Sequence, residues 1–146
     1  MTDQNVLWDP EARQRYSAGD PEILRTIRQL KDALENGEWM IMLNQAKKLV
    51  YHQPYEPAWC INLMYAMRRS AGVEAALDYA CEAYSRFPRH PVILYNLACY
   101  QALLGRKKQA GASLQKAIHL EPELLENASI DPDLGSLQNR SIDKRQ

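Results

Sequence analysis

Prolines stand at Pro54, Pro88 and Pro122, each 34 residues after the one before, and Pro57 and Pro91 keep the same interval. A fixed period of this length constrains the fold more than any other feature, because it marks one supersecondary unit used several times. The register extends beyond the prolines. Ala110, Leu114, Ala117 and Pro122 lie over Ala76, Ala80, Ala83 and Pro88, which lie over Met42, Ala46, Leu49 and Pro54. In the front half of each unit, Leu97-Ala98 lies over Leu63-Met64 and, more loosely, over Gln29-Leu30. Gly37 and Gly105 share one phase, which the middle unit fills with Ala71-Gly72.

Local chemistry turns this period into helical pairs. Pro57 and Pro91 suit the first turn of a helix, where the missing N–H had no helical partner. The glycine region permits a tight bend, and the closing proline stops the second helix. Small residues at Ala76, Ala80, Ala83, Ala110 and Ala117 let helix backbones approach, while Leu63, Leu97, Leu114 and Leu120 supply apolar area. One such pair cannot bury its apolar face alone, so three are expected to stack.

The flanks carry a different signal. Asp9-Pro10-Glu11, Asp20-Pro21-Glu22 and Asp131-Pro132-Asp133 each place a capping aspartate, a first-turn proline and a carboxylate that favours the helix dipole. They predict a short helix at about 9–18, the first repeat helix from about 21, and short capping helices after Pro122 in "ELLENA" and "DPDLGSLQNR". Residues 1–7 and 141–146 are expected to be disordered. The domain plan is an N-terminal arm over 1–20, repeats over 21–124 and a capping segment over 125–146.

At 146 residues the chain suffices for one domain. Its formal net charge of zero removes the global positive field on which non-specific nucleic-acid binding relies. The start, "MTDQNVLWDPEARQ", lacks the basic and apolar regions of a secretory signal, and no apolar run is long enough to span a membrane. Cys60, Cys81 and Cys99 are an odd number inside helical patterns, which suits reduced core thiols in a cytoplasmic protein. The triplets at Asn127 and Asn139 then read as chance glycosylation matches.

On these residues the chain resembles the tetratricopeptide repeat family, whose 34-residue helix–turn–helix signature ends in Ala, Phe, Ala and Pro. Three units, about 23–56, 57–90 and 91–124, carry the likeness. The third matches best, and the first departs at Met42 and Leu49. The family's phenylalanine is replaced by Ala46, Ala80 and Leu114. The resemblance implies an all-α, right-handed solenoid of helical hairpins that binds proteins through a concave face lined by the first helices. By phase, that face would hold Ile27 and Lys31, then Asn62, Tyr65 and Arg69, then Tyr95, Asn96 and Cys99. Aromatics, amides and cations together suit an extended peptide or a helix. The family's carboxylate clamp for chaperone tails would need five matching positions. Here Ile27, Lys31, Asn62, Val92 and Asn96 stand there and only Asn62 fits, which argues against chaperone binding.

No catalytic, cofactor or metal-binding pattern rises from the sequence. The glycines fit neither phosphate-loop spacing, and Gly111-Ala-Ser113 lacks a nucleophile elbow's second glycine and strand–turn setting. His52, His90 and His119 have no ligand spacing. Arg68-Arg69 suits a helix C-terminus, whereas Arg106-Lys107-Lys108 opens a second helix and reads as a solvated turn. The leading expectation is a non-catalytic interaction module for a protein or peptide partner. Its alternative is self-assembly through Trp39 and the run Met40-Ile41-Met42-Leu43, not all of which can point inward. RNA binding ranks below both.

Overall fold

The computed structural model describes residues 20–138, which form two compact units, 20–72 and 73–138. The predicted helix at 9–18, the arm before it and the tail at 141–146 lie outside the described residues. Every regular element among the described residues is helical.

The first unit holds α1 (Pro21–Asn36), α2 (Trp39–His52) and α3 (Pro57–Ala71), each packed on the next. Asp20 starts α1: its Oδ1 accepts the Glu22 N–H at 2.9 Å, ahead of Pro21 in the first turn. The helix buries Thr26, Ile27, Leu30 and Ala33, a stripe at three- and four-residue spacing, and leaves its other faces polar. Leu30 is fully buried, so Leu30→Ala would cost about 2–5 kcal/mol. Gly37 ends the helix with φ 69°, and the Glu38 N–H reaches back to the Ala33 carbonyl at 2.9 Å. This closure satisfies the last carbonyls and requires a left-handed residue, hence glycine.

In α2, Met42, Ala46 and Leu49 are wholly buried, so the larger residues at two small-residue positions are accommodated within the core. α3 differs in kind: residues Ala58 to Ala66 are buried without a break, so it has no solvent face along that stretch. Trp59, the largest buried side chain, donates its indole N–H to Gln53 Oε1 at 2.7 Å. That bond satisfies the one polar atom a buried indole brings.

The second unit contains α4 (Val73–Arg86), α5 (Pro91–Leu103), α6 (Lys107–Leu120), α7 (Leu124–Ile130) and a 3₁₀ turn at Pro132–Leu134, with helical residues at 135–138. α4 and α6 pack on α5, as does the 3₁₀ turn, while α7 meets α6 and that turn. α5 is buried from Ile93 to Tyr100. α4 and α6 each bury a narrow small-residue stripe: Ala76, Ala80 and Ala83 on one, Ala110, Ser113 and Ala117 on the other. The Ser113 hydroxyl donates to Gln101 Oε1 at 2.8 Å, so a polar residue is tolerated in that seam. Leu114 and Leu120, expected to be core, are only half-buried. Gly105, with φ 78°, repeats the α1 closure through the Arg106 N–H to the Gln101 carbonyl at 2.9 Å. Cys81 corrects the expectation of three core thiols. It is exposed because it lies one residue, about 100°, beyond the Ala80 stripe of α4.

Candidate functional site

In the first unit, Asn62, Tyr65 and Arg69 fall three and four residues apart on α3, which puts them on one face. Asn62 is fully buried; its amide donates to the Ala58 carbonyl at 2.8 Å, while its Oδ1 has no protein partner. Tyr65 is buried too, and its hydroxyl has no hydrogen-bond partner. Its ring meets Trp39 edge to face with centroids 5.7 Å apart. The exposed Arg69 guanidinium lies 4.4 Å from the Trp39 ring centroid and 6.0 Å from that of Tyr65.

This cation has two local supports. It stands in the last turn of α3, where the dipole favours positive charge, and it rests on the electron-rich face of an indole. No ion pair to Arg69 is found among the described residues, so the guanidinium edge remains available to a carboxylate or phosphate. On α1, Ile27 is buried and Lys31 exposed.

The second unit places its three predicted residues differently. Tyr95 is buried on α5 and donates its hydroxyl to Asp131 Oδ2 at 2.8 Å. Burial first, then that hydrogen bond, pushes the phenol pKa far up and keeps the proton on the ring oxygen. Cys99 Sγ lies 4.0 Å from the same oxygen, and Asp131 Oδ1 accepts the Asp133 N–H at 3.0 Å. Cys99, Asp131 and Asp133 bring potential ligand atoms within 4.8 Å of one another. Both Asp131 oxygens are already engaged within the protein, so this group works as a tie between α5 and the 3₁₀ turn. Asn96, fully buried between Tyr95 and Leu97 in sequence, has neither amide atom hydrogen-bonded.

Of the eight predicted residues, only Lys31 and Arg69 are exposed. Tyr65 with Arg69 and Tyr95 with Cys99 are the pairs brought together. The sequence reading missed Asp131 as the partner of Tyr95, because it lies in the cap, beyond the 34-residue repeat. It offered Trp39 for a self-assembly surface and did not connect its ring with Arg69. Arg106, Lys107 and Lys108 are all exposed, as a solvated turn requires.

No family model matches the chain. No curated protein matches it either. Among solved structures it is similar in fold to a chain described as the "CopN-Scc3 complex", with a TM-score of 0.61 over 92% of this chain and 75% of that one. Sequence identity across that likeness is 14%, which makes it a likeness of fold.

Proposed function

We propose that this chain is a tetratricopeptide-type interaction module without catalytic activity, and that its first unit receives an acidic segment of a partner protein. The observation that carries the reading is one face of α3. There an exposed guanidinium without an acidic partner among the described residues lies 4.4 Å from the Trp39 ring centroid and 6.0 Å from that of Tyr65. The similar solved structure is described as a complex, which agrees with a role in protein association. Cys60 and Cys99 are buried in the helical core, a placement that suits a reducing, cytoplasmic setting.

The test is capture of partners from native lysate by the wild-type chain and by Arg69→Glu, with folding checked by circular dichroism. A protein retained by the wild type and lost with the folded variant supports the reading. Retention unchanged by charge reversal contradicts it.

A second reading, self-assembly, rests on Met40 and Ile41, which are 59% and 45% exposed on α2 beside Trp39. A concentration-dependent rise in sedimentation coefficient that Ile41→Glu abolishes would favour it. A monomer at high micromolar concentration disposes of it.

A further inference from the structure

The second unit carries a cleft of about 490 Å³ whose walls come from the α4–α5 connection, α5 and α6. Its floor is apolar, from Leu94, Ala112 and Leu120. Arg89, Lys116 and His119 stand at its edge, and no aspartate or glutamate lines it. The chain as a whole is neutral, so two permanent positive charges around an apolar floor are a local concentration of one sign.

These cations are not consumed by the fold. Arg89 and Lys116 are exposed, and neither has an ion pair among the described residues. Lys116 makes only a long contact to the Tyr84 hydroxyl, 3.5 Å, with its Nζ 5.9 Å from that ring. Gln115 adds an amide that can both donate to and accept from a peptide group. The volume falls within the range of sites that take a few side chains or a small ligand. An apolar floor, a cationic edge and one amide are complementary to apolar side chains, carboxylates and a peptide backbone respectively.

We propose that this cleft is a second docking site, for a short peptide segment that combines leucine-like side chains with acidic residues. Its residues all belong to the second unit, so it is independent of the Arg69 face and does not rest on the function proposed above. The peptide's apolar side chains fill the floor over Leu94 and Leu120, and its carboxylates meet Arg89 and Lys116.

The experiment is an amide chemical-shift titration of the full chain with the blocked peptide acetyl-Leu-Glu-Leu-Leu-Glu-amide. The same peptide with lysine for glutamate, and decanoate, are parallel probes. The expected result is saturable shifts centred on Leu94, Ala112 and Leu120, with Kd of about 0.1–1 mM. The Arg89→Glu, Lys116→Glu double variant should weaken binding at least about tenfold, since both changes act at exposed positions. Equal binding of the lysine peptide would overturn the proposal, as would shifts elsewhere or none. Binding of decanoate without the glutamate peptide would also overturn it and assign the cleft to a small anionic amphiphile.

Discussion

α3 and α5 occupy the same phase of the 34-residue period and are buried without a break over 58–66 and 93–100, yet their tyrosine hydroxyls are treated in opposite ways. In the second unit, Tyr95 finds a carboxyl oxygen of Asp131, 36 residues further on, at 2.8 Å. In the first unit, Tyr65 is as deeply buried and its hydroxyl has no partner. The Tyr95 hydroxyl is therefore answered from within the chain, by a capping segment that follows the last repeat, although the Asn96 amide on the same helix is not. The Tyr65 hydroxyl is left unanswered, on a helix whose last turn holds Arg69 against the Trp39 ring. A repeat fixes where side chains sit; whether their polar atoms are satisfied depends on what lies outside the repeat.

The largest effect that could break this contrast is at Asp131. Asp131→Ala removes the partner of Tyr95 and the cap on the Asp133 N–H together, and should cost about 2–3 kcal/mol in urea unfolding. A loss below about 0.5 kcal/mol would mean that the tie does not hold the cap.

Next comes pH. Below the ordinary phenol pKa of 10.0, Tyr95 is protonated in the folded and unfolded chain alike, and it adds no pH dependence. Above that value the unfolded chain releases the proton while the folded one keeps it. The folded state then binds more protons, and stability falls with rising pH by about 1.4 kcal/mol per unit. Tyr95→Phe should lack this component when its unfolding curves are compared with the wild type between pH 9 and 11, a window set by about one unit either side of the phenol value.

The helix closures sharpen the comparison from the other side, because there the two units agree. Gly37 and Gly105 have φ of 69° and 78° and close their helices with the same six-residue hydrogen bond. Gly37→Ala and Gly105→Ala should each cost about 1 kcal/mol. Unequal losses would show that one closure is less constrained than its dihedral angle implies.

The smallest stability effect is at Arg69. Its stacking on Trp39 is exposed, so Arg69→Ala should change unfolding free energy by under about 1 kcal/mol, while shifting the fluorescence of Trp39 by removing the cation from its ring. A large loss of stability would recast Arg69 as a structural residue.

Much of the architecture was legible in the sequence. Pro57 and Pro91 open helices, Asp20 caps one, and the alanines at 46, 76, 80, 83, 110 and 117 are buried, because each signal is local or periodic. The site was legible only in part. Phase placed Tyr65 and Arg69 on one face, but periodicity carries no information about Trp39 turning its ring under the guanidinium. It is silent as well on Asp131, whose bond to Tyr95 spans the last repeat and its cap. The cleft beside Leu120 escaped for a related reason: Arg89 and Lys116 are unremarkable surface cations until the fold brings them to one apolar floor.

The hydroxyl pair tests the central contrast most directly. Unfolding free energies of Tyr65→Phe and Tyr95→Phe, measured side by side in urea at neutral pH, should differ in sign or nearly so. Tyr95→Phe should lose about 1–2 kcal/mol, since it breaks a buried hydrogen bond to Asp131, whereas Tyr65→Phe should be neutral or slightly stabilising. Equal losses at both positions would contradict the account, because Tyr65 would then have an answer for its hydroxyl within the chain.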